Sequence, residues 1–317
     1  MKDVGGKVLT AALWAGLVVA APMLASRYVD SSVGMVVVLQ ALLLVVVLGV
    51  AGILVVAVVA RRWRVAVVAG VLFSVCIAVV VPSLLARTVA AGRDDLVVMS
   101  VNLGYGGADP QSLVTAAREH RVDVLVLLGI TPAAVERLRI AGLDSLLPES
   151  VGRSRQDAGG TIIRGRFPLT LVAPGPVHVS PDAFDEPVAS IHRPAGDVVL
   201  RAVHSLPPSP SGAADWRSGL ADLQVWRERQ PADQPVVMAG DFNSSQGHPG
   251  FRRVAETMTD AARAAGSGWV PTWPMGSPVP PFVALDHVLV RGLAVVDAGM
   301  VTIPDTDHRA IWARLRP

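Results

Sequence analysis

Cysteine is almost missing from this chain: of 317 residues only Cys76 is one, and it lies inside an apolar run. An intramolecular disulfide and a cysteine metal cluster are both excluded, and cysteine usage carries no signal about redox compartment. Lysine is nearly as scarce, with Lys2 and Lys7 alone, so every later basic residue is Arg. Charge is thin throughout, at 17% against 51% hydrophobic residues. The mean hydropathy of +0.48 is too apolar for an ordinary soluble protein and points to a membrane part. From Asp94 onward 20 Arg face 24 Asp plus Glu, which leaves that part at 20 − 24 = −4 with His neutral. The basic balance therefore belongs to the N-terminal third. The remainder lacks the net positive charge that a general nucleic-acid binder uses, although Arg could still cluster in space.

What is present first is three apolar runs, Val8–Ala25, Val33–Ala60 and Val65–Ala86, of 18, 28 and 22 residues. Each is long enough to cross a hydrocarbon core, which takes about 20 helical residues. The first, preceded by Lys2 and Lys7, also has the form of a signal peptide, but two long runs directly after it favour an anchor. Placing the two lysines and Arg61-Arg62-Trp63-Arg64 on the cytoplasmic side satisfies the positive-inside rule. Everything beyond Arg87 is then extracytoplasmic. Gln40, inside the second run, reads as a tolerated polar residue. The division is a membrane anchor over 1–93 and a single soluble domain over 94–317.

The soluble part alternates early between strand and helix. Leu96–Leu103 and Val122–Leu128 read as strands, and Asp109 and Thr131-Pro132 as the starts of helices running to His120 and Arg139. Further strands are expected at Gly160–Arg164, Leu169–Val179, Val188–His192, Val198–Val203, Pro235–Ala239, Phe282–Val290, Leu293–Ile303 and Ala310–Leu315. Helices are expected over Asp215–Arg229 and after Pro249. The class is α/β (α+β) with mixed sheets. Arg217, with Trp216 and Trp226, is expected to pack on its own helix. His120 ends a helix, where a cation suits the dipole, and His178, His192 and His248 read as surface or structural residues. Pro-rich loops at Ser205–Gly212 and Trp269–Pro281 could border a site.

Polar side chains recur where apolar strands stop: Asn102, His204, Asp241 and Asn243, Asp286 and His287, and Asp307-His308. In Gly240-Asp241-Phe242-Asn243 the carboxylate and amide are spaced to project together from a strand end, but the same residues also suit an Asp-initiated turn. Oxygen-rich groups with imidazoles at strand ends suit a hard divalent cation and a phosphate oxyanion.

Asn102, His204, Gly240-Asp241-Phe242-Asn243, Leu285-Asp286-His287-Val288 and Thr306-Asp307-His308-Arg309 stand in an order that resembles the endonuclease/exonuclease/phosphatase superfamily. The resemblance covers roughly Asp94 to Pro317. It implies a four-layer sandwich of two mixed β-sheets flanked by helices, here preceded by three transmembrane helices. It also implies a metal-dependent phosphoesterase using Mg²⁺ or Mn²⁺. In that scheme His204, Asp241, Asn243 and His308 are catalytic. Asp241 handles the attacking water, Asn243 places the phosphate, and the histidines meet phosphoryl oxygens. Asn102, Asp286 and Asp307 lie at the metal. Membrane-tethered members suggest a lipid-linked phosphate or pyrophosphate as partner. One departure stands out. The family usually carries a metal-binding Glu after the second strand, where Asp123-Val124-Leu125-Val126-Leu127-Leu128-Gly129 has Gly129. Glu136 reads as a residue of a solvated helix face. The alternatives are a degenerate binding or sensor module, and a nuclease.

Overall fold

The structure, a computed structural model, describes residues 2–173, 175, 183–209, 213–268 and 271–317, with the side chains of 2 and 3 left aside. The outer part of the expected Leu169–Val179 strand, and His178 with it, lies outside the described residues.

Four helices come first: α1 (Lys2–Ser26), α2 (Gly34–Ala41), α3 (Leu43–Val59) and α4 (Trp63–Val80). Two of the helical stretches, Val4–Ser26 and Trp63–Ser83, are long and apolar enough to cross a membrane, or three if α2 and α3 count as one span. The second expected span is therefore corrected from one helix to two, bent by 61°. No Pro or Gly sits at the break. Instead Gln40, far from being merely tolerated, donates to the carbonyls of Ser26 and Val29 at 2.7 and 2.8 Å. Val37, one turn earlier, is fully buried against Trp216, Phe242 and Phe251 of the following domain. Those contacts hold α2 at an angle to α3 that a straight helix could not meet. A Cβ on Gly6 would strike the Arg62 guanidinium, which puts the N-terminus and the Arg61–Arg64 turn at one end of the bundle, away from the domain.

The domain holds two six-stranded mixed sheets. The first contains β1 (Leu96–Asn102), β2 (Val124–Leu128), β3 (Glu149–Arg153), β4 (Thr161–Gly165), β11 (Ala294–Val301) and β12 (Ala310–Arg316), in the order β11-β12-β1-β2-β4-β3. The second contains β5 (Leu169–Ala173), β6 (Val188–Ile191), β7 (Val198–His204), β8 (Val236–Asp241), β9 (Thr259–Asp260) and β10 (Asp286–Arg291), in the order β5-β6-β7-β8-β10-β9. β1 runs parallel to β2 and β7 to β8, and the other pairs are antiparallel. Helices α5 (Pro110–Glu119), α6 (Pro132–Ile140) and α7 (Leu143–Leu146) cover the outer face of the first sheet. Helices α8 (Ala213–Arg229) and α9 (Pro249–Val254) cover that of the second, and a short α10 (Ala261–Ala264) follows β9. Asp109 and Thr131 cap α5 and α6 as expected, accepting from the backbone N–H of Ser112 and Ala134.

Alternation along the strands decides what each face meets. On β1, Leu96 and Val98 enter the core between the sheets, while Val97, Met99 and Val101 meet the helices. The between-sheet core also takes Leu200 and Ala202 of β7, Val237 and Ala239 of β8, and Val288 and Val290 of β10. Continuing each series by twos reaches Asn102, His204, Asp241 and Asp286. One packing rule therefore directs four polar side chains to the same end of the same core.

Candidate functional site

The register tightens that convergence. Asp241 lies opposite His204 on the parallel strand and opposite Asp286 on the antiparallel one. Gly240 makes the close approach possible: at φ +149°, a Cβ there would come within 1.9 Å of the Val203 carbonyl oxygen.

Asp241 is 1% exposed and is the centre of the arrangement. Its Oδ1 accepts from the Asn243 backbone N–H at 2.8 Å, so the Asp-initiated turn is real, with Asn243 at φ +45°. Its Oδ2 is left to the site. That oxygen accepts from Asn102 Nδ2 at 3.0 Å and lies 3.7 Å from His308 Nε2. The Asn243 amide donates to the Ser205 carbonyl at 2.8 Å, which ties the turn to the end of β7. His308 Nδ1 meets Asp286 Oδ2 at 2.8 Å, so the imidazole is held between two carboxylates. The other Asp286 oxygen is buried without a hydrogen-bond partner.

Burial disfavours charge on both Asp241 and His308, with different results. It raises the Asp241 carboxyl to about 7, reinforced by Asp286 and opposed by His308. For His308, burial is outweighed by the Asp286 and Asp241 carboxylates, which push the imidazolium up to about 10. His204 is also buried, and with His308 nearby it is driven down to about 3, a neutral imidazole at any physiological pH. Its Nδ1 has no hydrogen-bond partner among the described residues, and its Nε2 is 3.5 Å from Asn102 Nδ2.

Of the expected site residues, Asn102, His204, Asp241, Asn243, Asp286 and His308 come together. Asp307 does not join that chain: it is exposed on the cavity rim and accepts from Trp273 Nε1 at 3.3 Å. Several contributors were not singled out as site residues from the sequence. Phe184 packs against His204 with its ring tilted by 42° at 4.3 Å between centroids, and Glu186 accepts from the His204 N–H at 3.0 Å while paired with buried Arg201. Thr306 donates to the Asn102 carbonyl at 2.6 Å. His287 faces elsewhere, bound to Asp260 and the Ser244 carbonyl. Glu136 is on an exposed helix face, paired with Arg139.

These side chains open into a cavity of about 1220 Å³. Trp273, Met275 and Phe282 form part of its wall, and Val37, Val38, Ala41 and Leu42 form another part, from the α2–α3 break. The membrane-type segment thus lines the same cavity as Asp241 and His308.

A sequence profile of the Endonuclease/Exonuclease/phosphatase family matches residues 99–308. The chain belongs to this family. None of the curated proteins matches it. Solved structures share the family's fold at low identity. A humanized D. rerio TDP2 is 14% identical with a TM-score of 0.56, over 71% of this chain and 100% of that one. An endonuclease/exonuclease/phosphatase from Beutenbergia cavernae is 19% identical with a TM-score of 0.53, over 71% and 72%. D. rerio TDP2 in complex with a single-strand DNA product is 16% identical with a TM-score of 0.55, over 70% and 99%.

Members of this family typically use divalent metals, and the residues present allow a cation here. Asp241, Asp286 and His308 can bring one ligand atom each to within 4.8 Å of one another, His308 only as the neutral ring, and Asp286 has a free oxygen. The position usually held by Glu is Gly129, at φ +62°, where a Cβ would point at Asn102 Oδ1 from 3.2 Å. The donor set fits a divalent ion with one carboxylate fewer than the family pattern.

Proposed function

We propose that this chain is a membrane-anchored, extracytoplasmic phosphoesterase that hydrolyses a phosphate ester or pyrophosphate carried on a lipid. The observation that carries the reading is the shared cavity: apolar residues of the α2–α3 break stand across from Asp241 and His308. A substrate with its phosphate at the strand ends would lay its hydrocarbon against Val37, Val38, Ala41 and Leu42. A net negative domain supports a small headgroup over bulk nucleic acid.

Each residue then has a defined task. Asp241, poised near neutrality, takes the proton of the attacking water through Oδ2. Asn102 fixes that oxygen by its amide, and Asn243 holds the turn that aims it. The His308 imidazolium, positioned by Asp286, neutralises charge building on a phosphoryl oxygen and can give its Nε2 proton to the leaving group. Neutral His204 presents a ring nitrogen to the phosphoryl group. A divalent ion such as Mg²⁺ or Mn²⁺, held through the unpartnered Asp286 oxygen, would supply further charge neutralisation.

The full chain in detergent micelles with Mg²⁺ or Mn²⁺ tests this directly. Phosphate release from a polyprenyl pyrophosphate should exceed that from a water-soluble phenyl phosphate by at least about tenfold in kcat/KM, because binding of the remote tail is used in catalysis. Equal rates, or turnover confined to plasmid nicking, would reject the lipid reading. D. rerio TDP2 holds a DNA product, so the nicking assay belongs beside the lipid one.

A further inference from the structure

Behind the α2–α3 break lies a second cavity, of about 470 Å³, that shares only Ala41 and Phe282 with the first. One side is hydrocarbon, made by Leu43 and Leu44 of α3 and Val75 and Val79 of α4. The lining also includes three arginines, Arg27, Arg252 and Arg263, and no acid. None of the three forms an ion pair among the described residues. Asp30, in the same loop as Arg27, is already bound to Arg217 and Arg253. Arg252 is engaged only with backbone carbonyls, those of Gln246, Gly247 and Arg27. Arg27 lies over the Tyr28 ring at 4.9 Å and keeps a buried Nε with no hydrogen-bond partner among the described residues.

Asp260 acts on Arg263 from behind, but Arg27 and Arg252 have no carboxylate beside them among the described residues, and cations beside apolar helix walls are costly unless an anion completes them. Burial, then Arg27, pulls even the Arg252 guanidinium down to about 10, the sign of a cation short of counter-charge. The cavity also sits where the ends of α1 and α4 and the start of α3 meet the domain.

We propose that this second cavity binds an anionic phospholipid, its phosphate among Arg27, Arg252 and Arg263 and its acyl chains along α3 and α4. Basic pockets between helices at a membrane surface take anionic headgroups by this chemistry. The lipid would serve as a fixed wedge between the helices and the domain, separate from the substrate cavity. The inference shares with the proposed function only the reading that the helices lie in a bilayer.

The test is native mass spectrometry of the full chain released from nanodiscs of mixed phosphatidylglycerol and phosphatidylcholine. The wild type should retain phosphatidylglycerol in preference to phosphatidylcholine, by about tenfold or more for three added charge contacts. The double variant Arg27→Gln, Arg263→Gln removes no backbone hydrogen bond and should lose the preference while remaining monodisperse. Inorganic phosphate added at millimolar concentration should leave the lipid in place. No preference in the wild type, or an unchanged preference in the double variant, would overturn the proposal. Displacement by inorganic phosphate would also overturn it, assigning the site to a soluble anion. Lipid retention by a chain that releases no phosphate would strike the proposed function and leave this site standing.

Discussion

Asn102 Nδ2 donates to Asp241 Oδ2 across 3.0 Å, and the two residues come from different sheets. That bond favours the ionised carboxylate, so it opposes the upward pull of burial on Asp241. Removing it with Asn102→Ala should raise the Asp241 pKa further. The base form would then appear only at higher pH, and the acid limb of the pH–rate profile should move upward. An acid limb that stays in place or moves down would separate this bond from the chemistry.

His308 owes its high pKa to the carboxylates beside it. Asp286→Asn keeps the shape but removes one of those charges, so the alkaline limb of the same profile should move downward. The loss in kcat should fall between about 10²-fold and 10⁴-fold, the range for a misplaced acid–base group. Unchanged turnover with an unmoved alkaline limb would show that the Asp286 charge does not tune His308 for the chemistry.

Gly129 offers a third test. At φ +62° any side chain carries backbone strain of about 1 kcal/mol, and its Cβ would press on Asn102 Oδ1. Gly129→Ala should therefore lower the melting temperature without altering Mn²⁺ binding. Gly129→Glu should carry the same strain and, in calorimetry, bind Mn²⁺ at least about tenfold more tightly by adding one carboxylate. Equal affinity in the Ala and Glu variants would show that this position has no part in holding an ion.

His248 links the domain to the membrane segment and should make that joint sensitive to acid. Its Nδ1 accepts from the Ser245 N–H at 2.8 Å while Nε2 donates to the Val37 carbonyl at 3.0 Å, an arrangement that requires the neutral ring. Burial lowers its pKa to about 4. The unfolded chain takes up the proton first, below about 6.5, so stability is complete above that pH and falls as pH drops toward 4. A shift of that size is worth up to about 3 kcal/mol. Thermal unfolding followed from pH 7.5 to 4.5 should show the decline, and His248→Gln should flatten it. An equally steep decline in the variant would assign the effect to other groups.

Much of this was readable in the sequence because of strand alternation. Val237, Ala239 and Asp241 form one series, and Leu96, Val98 and Asn102 another, so apolar spacing alone aims both polar ends into the same core. Asp241 also shows why competing readings of a motif need not exclude each other: one oxygen closes the turn and the other faces the site. β3 escaped notice because Glu149–Arg153 is an edge strand with one aliphatic side chain and no alternation. The α2–α3 bend escaped because it depends on contacts across some two hundred residues of chain, between Val37 and His248 and between Asp30 and Arg217. Arg217, expected to pack on its own helix, instead reaches Asp30, and nothing local encodes that partner.

Phosphate release from a polyprenyl pyrophosphate, by the full chain and by Asp241→Asn, is the most direct measurement. The wild type should turn over, and the isosteric variant should fall by at least about 10³-fold, because its amide cannot accept the proton of water. Release at equal rates by both proteins, or by neither, would contradict Asp241 as the base of a lipid-linked phosphoesterase.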